Sequence, residues 1–219
     1  MKYKYILFDL DGTLTDSKDG IINSMKFALE ALGYDQLSDD EYLRFVGPPF
    51  RTSIVEYFGI GENEAKKIVE KYRERFSTIG LFENRVYEGI ADMLGQLSRQ
   101  GRILAVATSK PKIFSDRILI KYDLKKYFKI TAGSEFDGTK DVKAEIIEQV
   151  LDQLIPEEKE RTNVIMVGDR KYDIIGAINC GIDSIGVRYG YAEADELESA
   201  GATYIVNTVI ELKEWLLNN

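Results

Sequence analysis

The stretch ILFDLDGTLTD, Ile6 to Asp16, begins as an apolar strand and ends in acid. Residues two apart on an extended chain point to the same side, so Asp9 and Asp11 face one another. Two like charges held in that way destabilise the fold unless something cationic sits with them.

Around this stretch the sequence has a regular rhythm. Short apolar runs at residues 3–10, 102–108, 128–132, 164–167, 184–187 and 203–206 read as strands. Between most of them lie helical stripes, such as Ile90, Leu94 and Leu97 before Gly101, and Ile146, Ile147, Val150, Leu151 and Leu154. Pro111 stands near the first position of a further helix. Strands alternating with helices give an α/β fold, a doubly wound parallel-sheet core with right-handed crossovers.

From Ser17 to about Phe82 the rhythm breaks. Only helical stripes occur there: Ile21, Ile22, Met25, Leu29 and Leu32, then Ile68, Val69, Tyr72 and Phe76. The expectation is an α/β core from residues 1–14 and 84–219 with an inserted all-helical cap at 15–83. Its joints fall near Leu14 to Asp16 and Glu83 to Val86, where a hinge would sit. The GPP cluster at Gly47 to Pro49 marks a loop inside it.

Composition narrows the chemistry. The 219 residues are 44% hydrophobic and 30% charged, with a net charge of −8. An acidic chain with scattered Lys and Arg does not offer a nucleic-acid surface. No apolar run suits a bilayer span, and acid arrives too early for a signal peptide, so a cytoplasmic protein is expected. There is no histidine and one cysteine. That excludes a Ser-His-Asp triad, a Cys-His pair and a histidine metal ligand. Cys180 reads as a small buried packing residue. Carboxylates, hydroxyls, lysine or a hard metal must carry any catalysis.

Ligands of open α/β sheets bind outside the carboxyl ends of the strands. Four such ends carry polar residues: Asp9, Asp11 and Gly12; Thr108, Ser109 and Lys110; the GSEFDGTKDVK segment with Lys140 and Lys143; and Asp169 with Asp173. Each has a plainer reading. Asp16 or Ser17 caps a helix, Thr108 and Ser109 cap another, Lys143 is an exposed helix residue, and Asp169 and Asp173 suit a helix start. Together they also fit one site. A hard divalent cation on Asp9, Asp11 and Asp169 relieves their repulsion, while Thr108 and Lys143 hold phosphoryl oxygens. One carboxylate then attacks phosphorus and the other handles protons.

The ordered set DLDGTLTD, ATSK, the lysine of KAEII and GDRKYD resembles the four motifs of the haloacid dehalogenase superfamily, in its phosphatase branch. Within it the chain looks most like the bacterial phosphoglycolate phosphatase group, some of whose members are nucleotidases. The resemblance implies that Asp9 is the nucleophile forming an aspartyl-phosphate and that Asp11 is the general acid and base. It implies that the Gly12 amide, Thr108, Ser109 and Lys143 bind the phosphoryl group. Mg²⁺ would be held by the Asp9 side chain, the Asp11 backbone carbonyl and Asp169, with Asp173 assisting. Arg51 is the expected contact to a small phosphorylated metabolite, the plainer alternative being an exposed helix-start arginine. Lys110 and Arg170 adjoin the pocket by sequence. A β-phosphoglucomutase-like mutase and a phospho-aspartate signalling module are the alternatives. GSEFDGTK imitates a P-loop but has Thr-Lys where Lys-Thr is required.

Overall fold

Strand β1 (Tyr5–Phe8) is buried along its whole length, as a strand covered on both faces must be. It pairs in parallel on one side with β4 (Ile103–Pro111), Tyr5 opposite Ile103 and Phe8 opposite Val106. On its other side it pairs with β6 (Val164–Gly168), Tyr5 opposite Val164 and Phe8 opposite Val167. With β5 (Phe128–Ser134), β7 (Asp183–Val187) and β8 (Tyr204–Val206), the six-stranded order is β5-β4-β1-β6-β7-β8, every pairing parallel. The computed structural model describes residues 2–48, 50–136, 139–155 and 158–219, the side chains of Glu158 and Lys159 excepted. Pro49 of the GPP cluster and Asp137 and Gly138 of GSEFDGTK lie outside the described residues.

Alternation along β1 divides the core. Tyr5 and Leu7 pack with Ile146, Ile147 and Val150 of α7 (Lys143–Leu154) and Ala177 of α8 (Lys171–Asn179). Ile6 and Phe8 pack on the opposite side with Leu94 and Leu97 of α5 (Ile90–Arg99), Phe114 of α6 (Lys112–Lys121) and Leu212 of α10 (Val209–Asn218). Helices on both faces of a parallel sheet define the doubly wound class. Leu94 and Leu97 are fully buried, and truncating either to alanine costs about 2–5 kcal/mol. Cys180 is buried in the first of these clusters, its thiol donating to the Ala144 carbonyl at 3.4 Å. Burial pushes that thiol up to about 12.

Between β1 and α5 lie α1 (Lys18–Ala31), α2 (Asp39–Leu43), α3 (Phe50–Phe58) and α4 (Glu62–Phe76). Two short strands bracket them. β2 (Thr15–Asp16) and β3 (Arg85–Val86) pair antiparallel, Thr15 with Val86 and Asp16 with Arg85. A two-residue strand has no periodicity to read, which is why the sequence marks this ribbon only as a pair of joints. Neither Asp16 nor Ser17 caps α1 as expected. Ser17 occupies the cap position without a side-chain capping bond. The Tyr191 phenol oxygen replaces it, accepting from the amides of Ser17 at 2.9 Å and Lys18 at 3.2 Å. Among the described residues no helix is long and apolar enough to cross a membrane.

Candidate active site

The chain runs outward from β1 to β4 and β5, then crosses back to β6, so the sheet order reverses beside β1. At such a switch point the loops after neighbouring strands part and leave a crevice. Asp9 stands directly after β1, its amide bonded to the Val167 carbonyl at 2.9 Å. Thr108 lies in the last part of β4, Asp169 follows β6, Lys143 opens α7, and Asp173 lies in the first turn of α8. All five are buried.

Lys143 is the hub, not an exposed helix residue. Its Nζ lies 3.0 Å from Asp9 Oδ1 and 2.8 Å from Asp173 Oδ1, and donates to the Ala107 carbonyl at 3.1 Å. Burial alone would lower the lysine's pKa, but Asp173 and Asp9 outweigh it and raise it. Carboxylate oxygens of Asp9, Asp169 and Asp173 lie within 4.8 Å of one another. Burial, with Asp173 and Asp11 adding to it against the pull of Lys143, pushes the Asp9 carboxyl up to about 6. Burial and the charges of Asp173 and Asp9 drive Asp169 well above the usual carboxylate range.

The cluster fits a hard divalent cation. Among the described residues Oδ1 of Asp9 and of Asp173 are buried without a hydrogen-bond partner, although the Lys143 ammonium lies within ion-pair distance of both. One ammonium among three buried acids leaves the cluster short of positive charge. All-oxygen donors of this kind suit magnesium. Outer contacts orient Asp169: its Oδ2 accepts from the Tyr191 amide at 2.8 Å and its Oδ1 from the Thr13 hydroxyl at 3.2 Å. Such support fixes a ligand's direction before the ion arrives. Gly12, at φ +79, passes so close that a Cβ there would meet Asp169 Oδ2 at 2.1 Å.

Other expected residues stand differently. The third acid of the cluster is Asp173, while the Asp11 side chain points to Lys110, whose Nζ lies 2.5 Å from its Oδ2. The Gly12 amide donates to the Thr15 carbonyl at 2.8 Å, and so is engaged within its own turn. Ser109 donates its hydroxyl to the Asp141 carbonyl at 3.0 Å, tying β4 to the segment before α7. Arg51 pairs with Glu62 at the start of α4 and is absent from the cavity lining.

A cavity of about 70 Å³ opens on Asp9, Asp11 and Thr108. The segment between β2 and β3 forms its other wall with Phe45, Phe50, Tyr72 and Phe76, and adds Arg73 to the cavity lining. Sequence reading took Tyr72 and Phe76 as part of a core stripe and missed their second duty. It also missed Tyr191 and Thr13. Tyr191 follows the end of β7 at the same sheet edge, so the strand-end rule that found the acids would have flagged it.

A buried acid cluster at the switch point of a doubly wound sheet, with a lysine and a threonine beside it, defines a hydrolase built for phosphoryl groups. Residues 6–187 match the model of the haloacid dehalogenase-like hydrolases. The chain belongs to that family, and it is a phosphoric monoester hydrolase. It is 40% identical over 216 residues to a 5'-nucleotidase of Pseudomonas aeruginosa, covering 99% of this chain and 96% of that one. It is 37% identical over 213 residues to the tyrosine-protein kinase PtkA of Mycobacterium tuberculosis, covering 96% of this chain and 72% of that one. The crystal structure of a predicted phosphatase from Clostridium acetobutylicum superposes with a TM-score of 0.94 at 42% identity, covering 100% of both chains.

Proposed function

We propose that the protein is a magnesium-dependent phosphatase of small phosphomonoesters that works through an aspartyl-phosphate on Asp9. The convergence of Asp9, Thr108, Lys143, Asp169 and Asp173 on one buried crevice carries this reading. Asp9, Asp169 and Asp173 would hold the ion, with the Asp11 backbone carbonyl as a further donor. When bound, Mg²⁺ neutralises charge on the phosphoryl oxygens.

An Asp9 carboxylate oxygen attacks phosphorus as the ester P–O bond breaks, and Asp11 gives its proton to the departing oxygen. Thr108 and Lys143 hold the phosphoryl oxygens. Water then attacks the aspartyl-phosphate while Asp11 takes its proton, which frees phosphate and restores both acids. Residues 15–83 act as a cap on the core of 1–14 and 84–219, keeping bulk water from the first step. Phe45, Phe50, Tyr72 and Phe76 favour a leaving group with a flat ring, as in a nucleotide, over one as small and anionic as glycolate.

Phosphate release across a panel of nucleotides, phosphoglycolate and sugar phosphates, with and without Mg²⁺, tests the reading. Asp9→Asn abolishes turnover while the protein stays folded. Full activity in Asp9→Asn, or activity untouched by chelation, overturns it. Conversion of a sugar 1-phosphate to the 6-phosphate without net phosphate release would instead identify a mutase.

A further inference from the structure

Two lysines serve the two aspartates of the first motif separately. Lys143 reaches Asp9, whereas Lys110 reaches Asp11, and both pairs are buried. The Lys110 and Asp11 side chains are 6% and 9% exposed, so water does not compete for the contact. Asp11 Oδ2 is taken by the Lys110 ammonium. Its other oxygen, Oδ1, is buried with no hydrogen-bond partner among the described residues. The same ammonium lies 4.9 Å from the ring centroid of Phe76, a residue of α4. Lys110, Asp11 and Phe76 all line the cavity beside Asp9.

We infer that Lys110 is a positioning residue for Asp11: it fixes Oδ2 so that Oδ1 is the oxygen that exchanges the proton with the leaving group, and Phe76 holds Lys110 in place. The torsion that turns a carboxylate is broad and two-fold, so a free Asp11 would not present one oxygen consistently. A cation pinned between the carboxylate and a ring removes that freedom. Because Phe76 belongs to the helices between β2 and β3, the acid is aligned only when those helices lie against the core.

This rests on the phosphatase reading, and leaving-group chemistry separates the two. Ethyl phosphate departs as an alkoxide that needs a proton while the P–O bond breaks. p-Nitrophenyl phosphate departs as a stable phenolate that does not. In Lys110→Met, kcat/KM for ethyl phosphate falls by about 100-fold, the range of a lost general acid, and that for p-nitrophenyl phosphate falls far less. Phe76→Leu shifts the ratio the same way to a smaller extent, and Lys110→Arg restores part of it. Equal losses on both esters in Lys110→Met and Phe76→Leu, as for a lysine that only binds phosphate or supports the fold, overturn the inference. If the parent enzyme releases phosphate from neither ester nor any compound of the metabolite panel, the phosphatase reading itself fails.

Discussion

Arg170 donates a 2.8 Å hydrogen bond from its guanidinium to the backbone carbonyl of Val46, joining the loop after β6 to the helices between β2 and β3. Its Nε also donates to Glu196 Oε1 at 2.9 Å, with both side chains more than nine-tenths covered. Asp169, which orients at the acid cluster, is the neighbouring residue. The arginine therefore ties the position of those helices to the loop that carries a proposed metal ligand.

Arg170→Ala removes that tie and leaves Glu196 covered without its partner. Breaking a covered ion pair from one side costs about 3 kcal/mol, so urea unfolding should show a clear loss of stability. KM should rise more than kcat falls, since the helices then spend less time shut. Unchanged stability with unchanged KM would mean that the contact carries no load.

Gly12→Ala should damage the acid cluster without touching a carboxylate. The new Cβ collides with Asp169 Oδ2, and a side chain at φ +79 is strained in its own right. Strain of this sort costs about 1–3 kcal/mol. A Mg²⁺ titration followed by thermal unfolding should give both a lower Tm and a weaker response to the ion.

Magnesium should stabilise the parent protein, because the proposed site exists only where the folded chain gathers Asp9, Asp169 and Asp173. At roughly a hundredfold excess over Kd the gain is about 2.7 kcal/mol. Asp169→Asn should abolish the Tm shift, and chelation should reverse it in the parent. A shift of equal size in the variant would place the ion elsewhere.

Acid should weaken the β2-β3 ribbon. Burial would raise the Asp16 carboxyl, but Arg85, Tyr191 and Lys18 outweigh it and hold it below its ordinary value of 3.8. Its contacts are Arg85 Nε at 3.0 Å, Arg85 Nη2 at 2.6 Å and the Tyr191 phenol at 2.7 Å. A carboxylate with a depressed folded value stabilises the protein above its unfolded value, and that stability is lost as pH falls through the folded one. Stability of the parent should therefore drop on acidification below about pH 4. Asp16→Asn should be less stable at neutral pH and show a shallower decline, read by denaturant unfolding across the acid range.

How much of this was legible in the sequence depends on where the information resides. The six strands are, because each is a contiguous apolar run, and β4 only extends further than expected, through Ser109 and Lys110 to Pro111. The β2-β3 ribbon is not, since Thr15 and Asp16 find Arg85 and Val86 across the whole helical segment. The same division holds at the site. Asp9, Thr108, Lys143 and Asp169 stand out as polar residues following apolar strands or opening a helix.

By itself the sequence determined the doubly wound sheet and the edge at which its polar residues gather. The reason is that strands joined by helical crossovers run parallel, which places every carboxyl end on the same side. Only the tertiary structure decided how those residues pair: Lys143 with Asp9 and Asp173, Lys110 with Asp11, Arg51 with Glu62, and Tyr191 with both Asp169 and the start of α1. Each pairing is a distance of a few ångströms between side chains brought together by chain packing, and no local pattern encodes such a distance.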